Sequence, residues 1–178
     1  MKDLIQQIEP LLPALRRYAR ALLRDAELAD DLVQDCLERI VGRWSQRRDA
    51  DDTRQWAFAI LHNLAIDAIR RRTRRGLHVA LEDVDEHDMA VPGRQEDRLR
   101  HDEILRALDV LPPEQRSVVL LVSIEDMSYA EAARALGIPV GTVMSRLSRG
   151  RERLQRALDG ELPARPSTNA PPVLRRMK

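Results

Sequence analysis

The sequence predicts an all-α fold, two small helical domains joined by a flexible linker, and three observations carry that prediction. Apolar residues recur at helical spacing through successive segments of the first 75 residues and again from Asp97 onward. The period lapses between Gly76 and about Glu96, where acids, His78, His87, Pro92 and Gly93 follow one another without a pattern. Ser128 to Leu158 then reads as two helices around a tight turn. The expected organisation is a helical domain over 1–76, a linker over 77–96, a second helical domain over 97–160 and a disordered tail over 161–178. That tail is rich in proline and too poor in apolar groups to fold alone.

In chain order, Leu4 to Leu23 forms a helical stripe interrupted early by Pro10 and Pro13. Asp25 to Trp44 is a second helix, apolar at Leu28, Leu32, Val33, Cys36, Leu37, Ile40 and Val41, and acidic on its other side at Glu27, Asp30, Asp31 and Asp35. Acids in a first turn complement the helix dipole, and an acidic face can equally dock a basic partner. Ser45 to Asp52 is a polar loop carrying Arg47 and Arg48. A third helix from about Thr53 to Arg75 is apolar over so wide an arc that it must be central to its domain. It carries Trp56 and Phe58, sets Asn63 and Asp67 on one face, and ends in Arg70, Arg71, Arg72, Arg74 and Arg75. Rings, an asparagine and guanidiniums on one element can serve as a platform for single-stranded nucleic acid. The competing reading makes Trp56 and Phe58 ordinary core.

Past the linker, Leu99, Ile104, Leu105, Leu108 and Leu111 restore the helical period; Pro112-Pro113 stops one helix and starts another, and Val118 to Val122 is a buried segment. Ser128 with Glu131 is a capping box, and Gly137 supplies the left-handed residue that ends that helix. In the last helix Val140, Val143, Leu147 and Leu154 follow a buried stripe, whereas Thr142, Ser145, Arg146, Arg149, Arg151 and Arg153 lie largely off it. A short capped helix, a glycine turn and a second helix with a hydroxyl and guanidinium face have helix-turn-helix geometry, which seats a recognition helix in the DNA major groove. A helical hairpin whose arginines are merely solvated is the bland alternative.

Composition narrows the classes. The formal charge is only +1, so affinity for a polyanion must come from segregated charge, and the charges are segregated: five arginines in Arg70 to Arg75, five acids in Glu82 to Asp88. One cysteine, Cys36, excludes an internal disulfide and suits a reducing compartment. No apolar run approaches 18 residues and the N-terminus lacks a signal-peptide layout, so a cytoplasmic location is expected. The four histidines and the cysteine have no metal-ligand spacing, and no phosphate-cradling glycine loop or nucleophile with a matched base is present. No enzyme activity, metal, cofactor or small-molecule substrate is expected.

These pieces in this order resemble a bacterial RNA polymerase sigma factor of the extracytoplasmic-function (ECF) group, over roughly residues 11–158. The residues that carry the resemblance are Asp30-Asp31 through Gln34-Asp35, Trp56 through Asn63 and Asp67 to Arg72, Leu111-Pro112 with Gln115-Arg116, and Tyr129 through Gly141-Thr142 to Arg151. It implies sigma region 2 in the first domain and region 4 in the second. Asp30, Asp31, Gln34 and Asp35 would meet the coiled coil of the polymerase β′ clamp. Arg47, Arg48, Trp56, Asn63, Asp67 and the arginine block would hold an opened −10 element. Thr142, Ser145, Arg146 and Arg149 would read the −35 element, with Arg151 and Arg153 nearer phosphates and another surface of the domain on the β flap. The resemblance also implies an anti-sigma factor, frequently membrane-bound in the family. A sigma-like decoy that binds an anti-sigma factor without reading DNA, and a dimeric helix-turn-helix regulator, are the alternatives.

Overall fold

The computed structural model describes residues 2–46, 52–74 and 107–159, and the regular structure among them is helical. Helices α1 (Lys2–Ile8), α2 (Leu12–Leu23), α3 (Ala26–Arg43) and α4 (Thr53–Arg74) form the N-terminal part; α5 (Pro113–Val119), α6 (Tyr129–Leu136) and α7 (Val140–Leu158) form the C-terminal part. The stretch read as a linker, 77–96, and the tail after 160 lie outside the described residues.

Local chemistry accounts for the helix boundaries. The early stripe breaks where the prolines stand: Glu9–Leu11 make a 3-10 turn, and α2 restarts with Pro13 in its first turn, where a missing N–H costs nothing. Arg24 closes α2 in the left-handed conformation (φ 57°), and the Asp25 carboxylate caps α3 by accepting from the Leu28 amide at 3.0 Å. This short connection sets α2 and α3 side by side. Helix α4 buries Ala57, Phe58, Leu61, His62, Leu64, Ala65 and Ala68, packing on α2 and α3 and also on α6. Tyr18 meets Phe58 edge to face, ring centroids 5.5 Å apart.

In the C-terminal part Pro112 caps α5 and Pro113 opens it; Val118 to Leu121 are all buried, and the helix widens into a π-turn over Leu120–Ile124. The capping box of α6 is complete, Ser128 Oγ accepting from the Glu131 amide (3.2 Å) and Glu131 Oε2 accepting from the Ser128 amide (2.7 Å). Gly137 ends α6 at φ 64°. Gly150 lies where α7 crosses α5, and an added Cβ there would stand 2.8 Å from Val119 Cγ2.

The two parts share one apolar core, which runs from Ile8, Leu15 and Leu22 through Phe58 and Leu61 to Leu111, Val118, Leu121, Ala133 and Val143. A polar seam crosses it. Glu125, 3% exposed, accepts from Arg17 Nε and Nη2 at 2.9 Å each, lies 3.6 Å from Arg54 Nη2, and its carbonyl also accepts from Arg54. Arg116, 6% exposed, donates to the carbonyls of Leu108 (2.9 Å), Leu111 (3.1 Å), Asp109 (3.3 Å) and, across the seam, Leu22 (3.1 Å). Arg24 pairs with Asp109, and Arg134 donates to Gln55 at 2.7 Å.

Two stability outcomes follow from these contacts. Gly150→Ala gains helix propensity of about 1 kcal/mol but overpacks against Val119 by about 1–3 kcal/mol, so its urea midpoint falls, whereas Gly42→Ala, with open space around it, raises the midpoint. Glu125→Ala leaves Arg17 and Arg54 without their carboxylate, and small-angle scattering is expected to show a larger radius of gyration than wild type while far-ultraviolet dichroism stays helical.

Candidate nucleic-acid interface

Helix α7 presents the hydroxyls and guanidiniums much as its periodicity demands. Val143, Leu147 and Gly150 are buried, Thr142, Ser145 and Arg146 are half-buried, and Arg149, Arg151 and Arg153 are exposed. Val140 departs from the expected stripe: it is 42% exposed, because as the first residue after the Pro139 cap it precedes the turn of helix that rests on the core. Met144, four residues on, is 52% exposed. Polar groups on this face are satisfied locally, Ser145 Oγ donating to the Thr142 carbonyl (3.1 Å), Arg149 Nε to the Ser145 carbonyl (3.2 Å) and Arg151 Nη2 to Ser123 Oγ (3.4 Å). Such internal bonds can be exchanged for a phosphate or a base edge at small net cost.

On α4, Asn63 and Asp67 are exposed on one face, followed by exposed Arg70, Arg71 and Arg74. Asp67 lies 3.9 Å from Arg70, and Arg72 is half-buried with its guanidinium 3.2 Å from Asp25, the cap of α3. Arg72 thereby ties the cationic end of α4 to the start of the acidic helix. The two aromatics divide: Phe58 is fully buried core, while Trp56 is half-buried and pairs with Trp44 at 6.3 Å with planes tilted 57°. Trp44, which the residue pattern did not single out for function, sits at the end of α3 where the loop begins. Arg47, Arg48 and Arg75 lie outside the described residues.

The α4 and α7 surfaces share an electrostatic neighbourhood. His62 is buried with Nδ1 2.9 Å from the Tyr18 hydroxyl, and its proton affinity is pushed down to about 4, first by burial and then by the charges of Arg146 on α7 and Arg70 on α4. Burial pushes the Tyr18 phenol up, so it stays a neutral partner. Arg70 of α4 and Arg146 of α7 are thus near enough to act on one imidazole, in a chain whose net charge is near zero.

The acidic face of α3 is largely open to solvent. Asp31, Gln34 and Asp35 are exposed, and Asp30 accepts from Arg20 at 2.8 Å. Asp35, Glu38 and Arg39 line an open depression. Glu38, not among the acids singled out from the sequence, belongs to that face as well, since its spacing of seven from Asp31 and three from Asp35 puts it there. Cys36, on the opposite side, is fully buried; burial pushes its thiol up to about 12, which makes it a small core residue. Among the described residues no group of His, Cys, Asp and Glu could hold a metal ion, and no helix is long and apolar enough to cross a membrane.

The imidazole has a pH consequence. An unfolded histidine titrates near 6.5 and the folded His62 near 4, so the unfolded chain binds more protons between those values and stability rises with pH there. Stability on the order of 3 kcal/mol is fully present above pH 6.5 and lost as pH falls toward 4. Urea midpoints measured from pH 4.5 to 7 are expected to drop at the acid end in wild type and to vary less in His62→Asn, whose amide can still accept from Tyr18.

Comparison with known proteins accords with this geometry. Residues 101–154 match the model for sigma-70 region 4, and residues 8–62 match the model for the sigma2 domain of PhyR. The ECF RNA polymerase sigma factor EcfG of Rhodopseudomonas palustris is 36% identical over 150 residues, 82% of this chain and 80% of the relative. The RNA polymerase sigma-E factor of Streptomyces coelicolor is 38% identical over 148 residues, again 82% and 80%. The sigma factor RpoE solved in complex with the anti-sigma factor NepR from Bartonella quintana superposes with a TM-score of 0.78 at 32% identity, covering 91% of this chain and 100% of that one. CnrH, solved with the cytosolic domain of CnrY, gives 0.68 at 25% identity over 90% of each. A chain with both halves matched in order, and aligned over 82% of its length with such relatives, belongs to the extracytoplasmic-function group of RNA polymerase sigma factors.

Proposed function

We propose that this ECF sigma factor divides its tasks among three surfaces, and that the positions named from its sequence carry them. The chain binds core RNA polymerase and directs promoter-specific initiation, without catalysis of its own. Asp31, Gln34 and Asp35, with Glu38 beside them and Asp30 nearer Arg20, form the surface for a basic partner, the β′ clamp coiled coil. Asn63, Asp67 and Trp56, with the exposed arginines of α4, hold the opened −10 strand, where ring stacking offsets part of the unstacking cost. The exposed side of α7 reads the −35 element, and the C-terminal part meets the β flap. An anti-sigma factor covering these faces is the expected control, and the nucleoid is the expected place of action.

The observation that carries this reading is the pairing, in one chain, of a capped helix-turn-helix with a cationic recognition helix and an acidic helix face of opposite character. Exposed cations at Arg70, Arg71 and Arg74 and at Arg149, Arg151 and Arg153 oppose the decoy reading, because a decoy needs no phosphate contacts.

The docked arrangement bears on how the protein engages a promoter. Elements named for positions 25 base pairs apart lie about 85 Å apart along B-DNA. Arg134 on α6 reaches Gln55 on α4, which holds the two reading parts side by side. We infer that the docked form is the unengaged one and that the two parts separate on the promoter.

Transcription in vitro with core polymerase on genomic fragments tests the assignment. Discrete starts preceded by two shared motifs at −35 and −10 are expected. Asp31→Lys with Asp35→Lys is expected to weaken core association at least about tenfold, and Arg149→Ala to cut −35-dependent initiation by about 1–3 kcal/mol if it pairs with a base. Arg153→Ala, as a phosphate contact, is expected to weaken all promoters alike and lower the salt slope by about one. Wild-type protein that binds core but yields no discrete starts overturns the reading.

A further inference from the structure

We propose that Met144 and Val140 read the C5-methyl group of a thymine in the −35 element, making this pair an apolar specificity determinant in addition to the polar one. The inference rests on the reading of α7 as the −35 helix and deepens it. Val140 and Met144 are four residues apart, so they are neighbours on one side of the helix, and they are 42% and 52% exposed. Nearer the core, Val143 and Leu147 are buried. The exposed positions around the pair are Gly141, Ser148, Arg149 and Arg151.

Three features point to DNA as the occupant. Both residues lie in the N-terminal half of the recognition helix, the part that reaches base edges in this motif. Beside Met144 stands Gly141, which has nothing within 4 Å of where a Cβ would be, so a groove wall can approach the bare backbone next to the apolar pair. Arg151, seven residues past Met144 and on the same side of the helix, is an exposed cation suited to a phosphate, and Arg149 and Arg153 are exposed further round the helix, whereas Glu152 is occupied by Arg156 at 2.7 Å. In the major groove, thymine is the base that offers an apolar group, and its methyl is read by apolar contact. The long, flexible thioether of Met144 can adapt to it.

The test uses full-length chain with core polymerase on the promoters that initiate in vitro, each −35 thymine replaced singly by deoxyuridine, which removes only the methyl group. In wild type, one thymine is expected to show a loss of about fourfold in initiation, equal to ~0.8 kcal/mol for one buried methyl. In Met144→Ala that substitution is expected to have no effect, and in Val140→Ala a reduced one; both residues are exposed, so the variants remain folded. Promoter-specific initiation in wild type with no uracil effect at any −35 thymine overturns the inference and leaves the DNA reading standing. A uracil effect that persists undiminished in the Met144→Ala, Val140→Ala double variant also overturns it. Unchanged promoter choice and strength in Met144→Ala likewise overturns it. Absence of any promoter-specific initiation overturns both readings together.

Discussion

The burial of one carboxylate governs how this molecule is put together. Glu125 stands just after the π-turn at the end of α5 and is 3% exposed, in a core otherwise made of aliphatic side chains. A carboxylate removed from water costs several kcal/mol unless it is paired and hydrogen-bonded. Both partners, Arg17 on α2 and Arg54 on α4, come from the N-terminal helices, so the charge of a C-terminal residue is neutralised only when the two parts dock. Arg116 repeats the logic with opposite sign: its buried guanidinium needs the Leu22 carbonyl, at the end of α2, as well as carbonyls of its own neighbourhood. Polar groups of this kind specify how two apolar surfaces register against each other more than they add stability.

An assembly sealed by charge and by carbonyl contacts differs from one sealed by apolar area alone. Arg17 keeps 46% of its side chain in water, so the Arg17 side of the seam remains open to competition from solvent or from a partner's charges. That is compatible with the proposed separation of the two parts on a promoter. Arg70 and Arg146 both act on buried His62, so docking brings like charges into one neighbourhood.

Within each part, the fold rests on short local codes that agree with the tertiary arrangement. Asp25 caps α3, Ser128 and Glu131 cap α6, and Gly137 ends it, and each of these is readable from residue type and spacing. The same holds for α4, whose wide apolar arc announced a central helix and whose buried face indeed contacts helices of both parts. Val140 shows where periodicity misleads: its spacing matches the stripe, but the stripe meets the core only a turn later.

By itself, the sequence determined the helices, their caps and the candidate surfaces, because capping, proline placement and apolar period are interactions between residues three or four apart. Asp31, Gln34, Asp35, Asn63, Asp67, Arg149 and Arg153 could be named because an exposed helix face is written in the chain as an off-stripe position. What only the tertiary structure decided were contacts between residues far apart in sequence. Nothing near Glu125 announces Arg17 or Arg54, 108 and 71 residues away. Nothing near Phe58 says that Tyr18 will cover it while Trp56 stays half-open. Nor does α7 declare that Met144 faces water, since a methionine at helical spacing is more often core. Such pairings depend on which surfaces of different helices meet, and that is settled by the packing of the whole chain.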